Sequence, residues 1–184
     1  MEVANKRVAA AQQTRAKLIE TGLVLAEELG LEGLSVNAVV ASAGVSKGTF
    51  FHHFPDRVSY LVALHRRFHD VLFDEVMSAI AEMAPGKDRL TAVAATYLDA
   101  CLRDRGVKAL LLEARGHLPI ADEVMRRNRM NVDVVAADFE ALGARHPRAS
   151  ARLWIAATAE CALMELELGR RDSAARAALG ALVR

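Results

Sequence analysis

The stretch ASAGVSKGTFFHHFPDR, residues 41–57, decides how the chain is read. Gly48 stands inside an otherwise helical pattern, although a glycine in a helix interior costs about 1 kcal/mol relative to alanine. Ser46 is a favourable N-cap, Val45 sits just outside it, and Phe50 takes the fourth helical position, which is the arrangement of a hydrophobic staple. Pro55 stops this helix, and Asp56 is placed to cap the next one. On a helical projection Phe50 and Phe54 fall together and are expected in a core against Leu18, Leu25 and Val39, while Gly48 and His52 project nearly opposite. A backbone left bare at Gly48 can approach a partner closely, and that contact offsets the lost helix propensity.

Working outward, Ser35 precedes a short helix that carries Val36, Val39, Val40 and Ala43 on one side, and Gly44 ends it. Two short helices joined by a tight glycine-containing turn are the outline of a helix-turn-helix. Upstream, Leu18, Gly22, Leu25, Ala26 and Leu29 recur at helical spacing before Gly30 closes the run. Downstream, Val58, Leu61, Val62, Phe68, Leu72, Val76 and Ile80 trace one stripe of a long helix over residues 58–83, broken by APGKDR. Further helices are expected over 90–104, 107–116, 121–143 and 148–168, with a short last one after Asp172. Four prolines and almost no β-branched alternation predict an all-α protein. Short helices give way to long ones near Arg57. That places a three-helix helix-turn-helix domain over residues 1–57 and a larger helical domain over 58–184.

The chain of 184 residues is 53% hydrophobic and can bury a core without staples. Its net charge is +1, and in the first 57 residues six cations (Lys6, Arg7, Arg15, Lys17, Lys47, Arg57) face six acids (Glu2, Glu20, Glu27, Glu28, Glu32, Asp56). Any polyanion site must therefore be local, on one basic edge. Cys101 and Cys161 lie far apart with no CxxC, which argues for buried thiols in a reducing compartment. No apolar leader and no uncharged run long enough for a membrane span is present, so a cytoplasmic protein is expected. No nucleophile elbow, HExxH, phosphate loop or dinucleotide fingerprint occurs, so neither an enzyme nor a cofactor is expected. His65 and His69 have metal-ligand spacing, but without a third ligand at a readable offset they are expected to be hydrogen-bonded histidines, and no metal is expected.

If the helix after Ser46 is a recognition helix, its first two turns reach base edges while its other side holds the core. Lys47 and Thr49 can then donate to phosphate or base edges, and the helix N-terminus favours a phosphate. Arg57 and Ser35 are phosphate anchors on this reading, and Asn37 reaches a base. Phe51 lies off the buried pair and suits a thymine methyl or a sugar. Taken singly, Lys47, Arg57 and Asn37 each read as solvated surface.

At this point the sequence resembles the TetR family of transcriptional regulators. The resemblance rests on Thr14-Arg15, Leu18-Ile19, the ELG at Glu28, Leu29 and Gly30, Ser35-Val36, Val39, and above all AGVSKGTFFHHFPDR. It implies a homodimeric regulator, a repressor in the first instance, that binds double-stranded operator DNA and is released by a small-molecule effector. It carries DNA contacts onto Ser35, Asn37, Lys47, Gly48, Thr49, His52 and His53, with Phe51 where a tyrosine is usual and Arg57 where a lysine is usual. Phe51 lacks the hydroxyl a tyrosine offers a phosphate, and Ala41 and Ser42 stand where basic residues are common. A flatter salt dependence is therefore expected.

A single head reads too few bases, so a dimer is expected. The last two helices, residues 148–184, are apolar around most of their circumference and supply its surface. Candidates for the effector pocket are Phe68, Tyr97, Cys101, His117, Met125, Asn128, Trp154, Cys161 and Met164, which mix aromatic, sulfur and polar character. The competing readings are a helical interaction protein and a constitutive DNA binder with no effector.

Overall fold

A computed structural model of the chain describes residues 2–113 and 118–183. Among the described residues there are nine helices and no strand. In chain order they are α1 (Glu2–Gly33), α2 (Val36–Ala43), α3 (Lys47–His53), α4 (Arg57–Ala79), α5 (Lys87–Arg103), α6 (Arg105–Glu113), α7 (Leu118–Ala141), α8 (Pro147–Leu168) and α9 (Ser173–Ala181). They form two compact units, one of residues 1–68 with 106–121 and one of residues 69–105 with 122–184. α4 supplies residues 57–68 to the first unit and the remainder of its length to the second.

The first unit is built on the packing of α1 with α2 and of α2 with α3. Gly30, at φ 64°, interrupts α1. Gly44 ends α2 in the left-handed region (φ 64°, ψ 39°), which costs glycine nothing and turns the chain tightly into α3. The core gathers Leu18, Ile19, Ala26, Leu34, Val39, Val40, Phe50, Phe54 and Tyr60. The stripe expected on α1 is corrected in one respect. Leu29 is 48% exposed and Leu25 half-buried, because the buried face is rotated toward Ile19 and Ala26.

Tyr60 explains that rotation. Its ring lies 5.0 Å from Phe50 and 4.9 Å from Phe54, centroid to centroid, in edge-on geometry. Its hydroxyl donates to the Leu18 carbonyl at 2.6 Å. A Cβ at Gly22 would stand 2.0 Å from that hydroxyl oxygen, so Gly22 is the slot that admits Tyr60. Burial pushes the Tyr60 phenol well above its ordinary range, which keeps it a donor. α6 joins this unit by a hydrogen bond from the Val107 amide to Glu27 at 3.1 Å.

The second unit holds α5 against α8 and α8 against α9. Pro147 opens α8 at a position that needs no amide hydrogen. Asp172 caps α9 by accepting from the Ala174 and Ala175 amides. The inner side of α8 carries Ala151, Trp154, Thr158, Cys161, Ala162 and, unexpectedly, Glu165. Glu165 is fully buried and takes two hydrogen bonds from Arg176, at 2.6 and 2.8 Å, and one from the Asp172 amide at 2.9 Å. Asp138 is buried too, accepting from the Gly86 amide at 2.9 Å with Arg89 3.6 Å away. Paired in this way, buried carboxylates are tolerated, and removing one partner is what costs stability.

Candidate nucleic-acid interface

α3 has only seven residues, too few to be stable alone. Ser46 Oγ accepts from the Thr49 amide at 3.0 Å, and the Thr49 hydroxyl lies 2.9 Å from the same oxygen. Phe50, wholly buried between Phe54 and Tyr60, holds the other side. Ser35 caps α2 by accepting from the Ala38 amide at 3.1 Å. Asp56 caps α4 by accepting from the Ser59 amide at 2.7 Å, a hydrogen bond that holds its carboxyl below the usual range.

With the aromatic side fixed inward, Lys47, Gly48, Phe51 and His52 are left on the exposed side of α3, and Phe51 is 49% exposed. A phenylalanine so exposed on a short helix suits contact with a partner. Gly48 is the most informative residue here. A Cβ on it would meet only Ser46 Oγ, at an ordinary 3.6 Å, so nothing in the rest of the chain requires a glycine there. Ser35 and Asn37 are exposed on α2, while Thr49 and His53 are half-buried. His53 is held below its ordinary value by burial, then by His52 and Arg15.

Arg57 is half-buried, and its Nε donates to the Leu34 carbonyl at 3.3 Å, tying the start of α4 to the turn before α2. Arg15 went unremarked as a site residue in the sequence. Its guanidinium lies 4.9 Å from the centre of the Phe54 ring, a cation–π contact that brings an exposed positive charge to the end of α3. No pattern in the sequence links positions so far apart. The interface thus gathers three cations (Arg15, Lys47 and Arg57), two helix N-termini and one exposed aromatic.

The nine effector candidates do not form one cluster. Phe68, Cys101, Trp154 and Cys161 are buried, Tyr97 is half-buried, and Met125, Asn128 and Met164 are exposed. His117 lies outside the described residues. The second unit has a cavity of about 110 Å³ between α5, α8 and α9, and of the eight described candidates only Trp154 lines it. Both cysteines are free thiols, and burial, followed by Glu165, pushes the Cys161 thiol up. His65 is buried and His69 half-buried, and among the described residues no three metal-ligating side chains gather.

Two capped helices joined through a left-handed glycine, the second with an exposed, uncrowded first turn, define a helix-turn-helix DNA-binding regulator. Residues 18–64 match the profile described as bacterial regulatory proteins, tetR family. It is 31% identical over 78 residues to the HTH-type transcriptional regulator CymR of Pseudomonas putida, a match covering 42% of this chain and 38% of CymR. It is 24% identical over 119 residues to the HTH-type transcriptional repressor KstR2 of Rhodococcus jostii, covering 65% of this chain and 58% of that one. The chain thus spans about half the length of these relatives. In fold it is similar to a transcriptional regulator from Rhodococcus sp. Rha1, with a TM-score of 0.78, 23% identity and coverage of 91% of this chain and 92% of the other. The family and these relatives are transcriptional regulators and not enzymes. No helix of the described residues is long and apolar enough to cross a membrane.

Proposed function

We propose that the chain is a cytoplasmic, homodimeric repressor that grips operator DNA through α3 and lets go when a small molecule binds its C-terminal part. Residues 1–57 read the DNA, and residues 58–184 dimerise and sense. On this reading Lys47, Gly48, Thr49, Phe51 and His52 meet the major groove, with Asn37 beside them. Ser35, His53, Arg57 and Arg15 hold the backbone. The name of KstR2 supports the repressor sign.

One observation carries the DNA reading. Gly48 stands in the first turn of α3, where glycine costs up to about 1 kcal/mol of helix propensity that the chain's own packing does not require. A surface pressed against that backbone supplies the reason, and a duplex groove is the surface that fits a capped helix beside Lys47.

The dimer is supported by the outer side of α8. Leu153 is 73% exposed, Met164 43% and Leu168 45%, and Leu182 just after α9 is 63% exposed. Apolar side chains lined up at helical spacing and left in water mark a surface that is covered in the working protein. A symmetric pair of heads then spaces its two α3 helices by about 34–36 Å, one turn of DNA.

The test is fluorescence anisotropy with a duplex from beside the chain's own gene, run against a scrambled duplex. The parent is expected to prefer the former, while a folded Gly48→Leu variant loses at least tenfold in affinity, about 1.4 kcal/mol. Parent-like affinity in that variant would falsify the groove assignment.

A further inference from the structure

We propose that the cavity between α5, α8 and α9 is a binding site for a small uncharged ring compound of about benzene size. Its floor is apolar and buried, formed by Leu90, Ala94 and Leu98 of α5, Trp154 of α8, and Leu179 and Val183 at the end of the chain. Thr91 and Gly180 border the mouth and are exposed. At about 110 Å³ the space is somewhat smaller than the cavity of about 150 Å³ that holds benzene in an apolar protein core, and its open mouth lets a substituent protrude.

Charge and hydrogen bonding select the class of ligand. The cation at the wall, Arg176, is already engaged: its Nε and one terminal nitrogen serve Glu165, and the other terminal nitrogen lies 2.7 Å from Asp99. Arg171 also pairs with Asp99, so two arginines balance two carboxylates and no net charge is left for an acid or an amine. The Thr91 hydroxyl donates to the Lys87 carbonyl at 2.9 Å. A water needs two to four polar partners, and this lining offers few, so a dry, flat, uncharged occupant fits best. The Trp154 indole supplies an aromatic wall for such a ring.

Trp154 is also the only tryptophan, so its emission reports this site alone. Occupancy is measured without DNA and therefore stands apart from the reading of the head. The full chain is titrated with toluene and phenol, and in parallel with benzoate and benzylammonium as charged rings of similar size. The uncharged pair is expected to change Trp154 emission saturably, with calorimetry giving affinities at least tenfold tighter than for the charged pair. Ala94→Leu, which fills the floor, is expected to lower the affinity at least tenfold while the chain keeps its helical circular dichroism. The idea is overturned if neither uncharged ring saturates, if a charged ring binds equally well, or if a folded Ala94→Leu variant binds like the parent. It is also overturned if toluene binds a monomeric Leu153→Glu variant but not the dimer, since a second copy would then fill the space. If Ala94→Leu does not fold, the contrast between charged and uncharged rings on the parent chain still decides.

Discussion

Gly22 and Gly48 both interrupt helices with a missing side chain, and their neighbours give them opposite reasons. At Gly22 a methyl group would collide with Tyr60 and with Leu64, so Gly22→Ala is expected to cost about 1–3 kcal/mol in urea denaturation by overpacking. At Gly48 there is room, so Gly48→Ala is expected to gain up to about 1 kcal/mol in the same measurement while weakening operator binding. A loss of stability at Gly48 would mean that the chain itself needs the glycine. Gly48 stands out in the sequence because a breaker inside a capped pattern is a local anomaly. Gly22 does not, since its partner is 38 positions away (22 to 60). Arg57 lies between these cases. Its hydrogen bond to Leu34 predicts that Arg57→Ala lowers stability by about 1 kcal/mol, and the proposed phosphate contact predicts a salt slope lower by about one. A stability loss with an unchanged slope would leave Arg57 as a positioning residue. His53 adds a pH effect. Because its folded value lies below the ordinary 6.5, the unfolded chain takes up the proton first, so this contribution is complete above that value and is lost as pH falls through it. His53→Gln is expected to flatten the thermal stability profile on the acidic side of neutrality, and an unchanged profile would count against it.

At the scale of elements, eight of the nine helices fall within a few residues of the positions expected from periodicity and punctuation, as with α5 over Lys87–Arg103 against an expected 90–104, whereas α1 starts at Glu2, well before the expected run from Leu18, and continues past Gly30. Caps are local chemistry, which is why Ser35, Ser46, Asp56 and Asp172 can be read directly. Pairings between helices are not local. Nothing in the sequence announces that Glu165, on a helix otherwise rich in alanine and leucine, turns inward to meet Arg176 on the next one. Glu165→Ala leaves a guanidinium without its bidentate acceptor in a mostly buried place and is expected to cost about 3 kcal/mol by urea denaturation. A cost near that of a surface substitution, about 0.5 kcal/mol, would show that water reaches the pair.

For the whole molecule, the proposed dimer gives the clearest expectation. Leu153→Glu places a charge at the most exposed apolar position of α8, so sedimentation should find a monomer whose operator affinity drops with the loss of the second head. A dimer that survives the change would move the interface elsewhere. The cavity is the feature least legible from sequence. Of the eight described effector candidates, which stand out for what their side chains offer, seven do not line it. The space arises instead from small residues such as Ala94, Ala95 and Gly180 coming opposite one another on helices joined only by the fold. Periodicity reveals which side chains face inward, but gaps between them depend on how three helices are registered.

Gly48 also sets a limit on engineering. A thermostability screen would reward alanine there early, since folding tolerates it and helix propensity favours it. Hardier clones from such a screen should therefore be checked for silenced promoter control before their melting temperature is counted as an improvement.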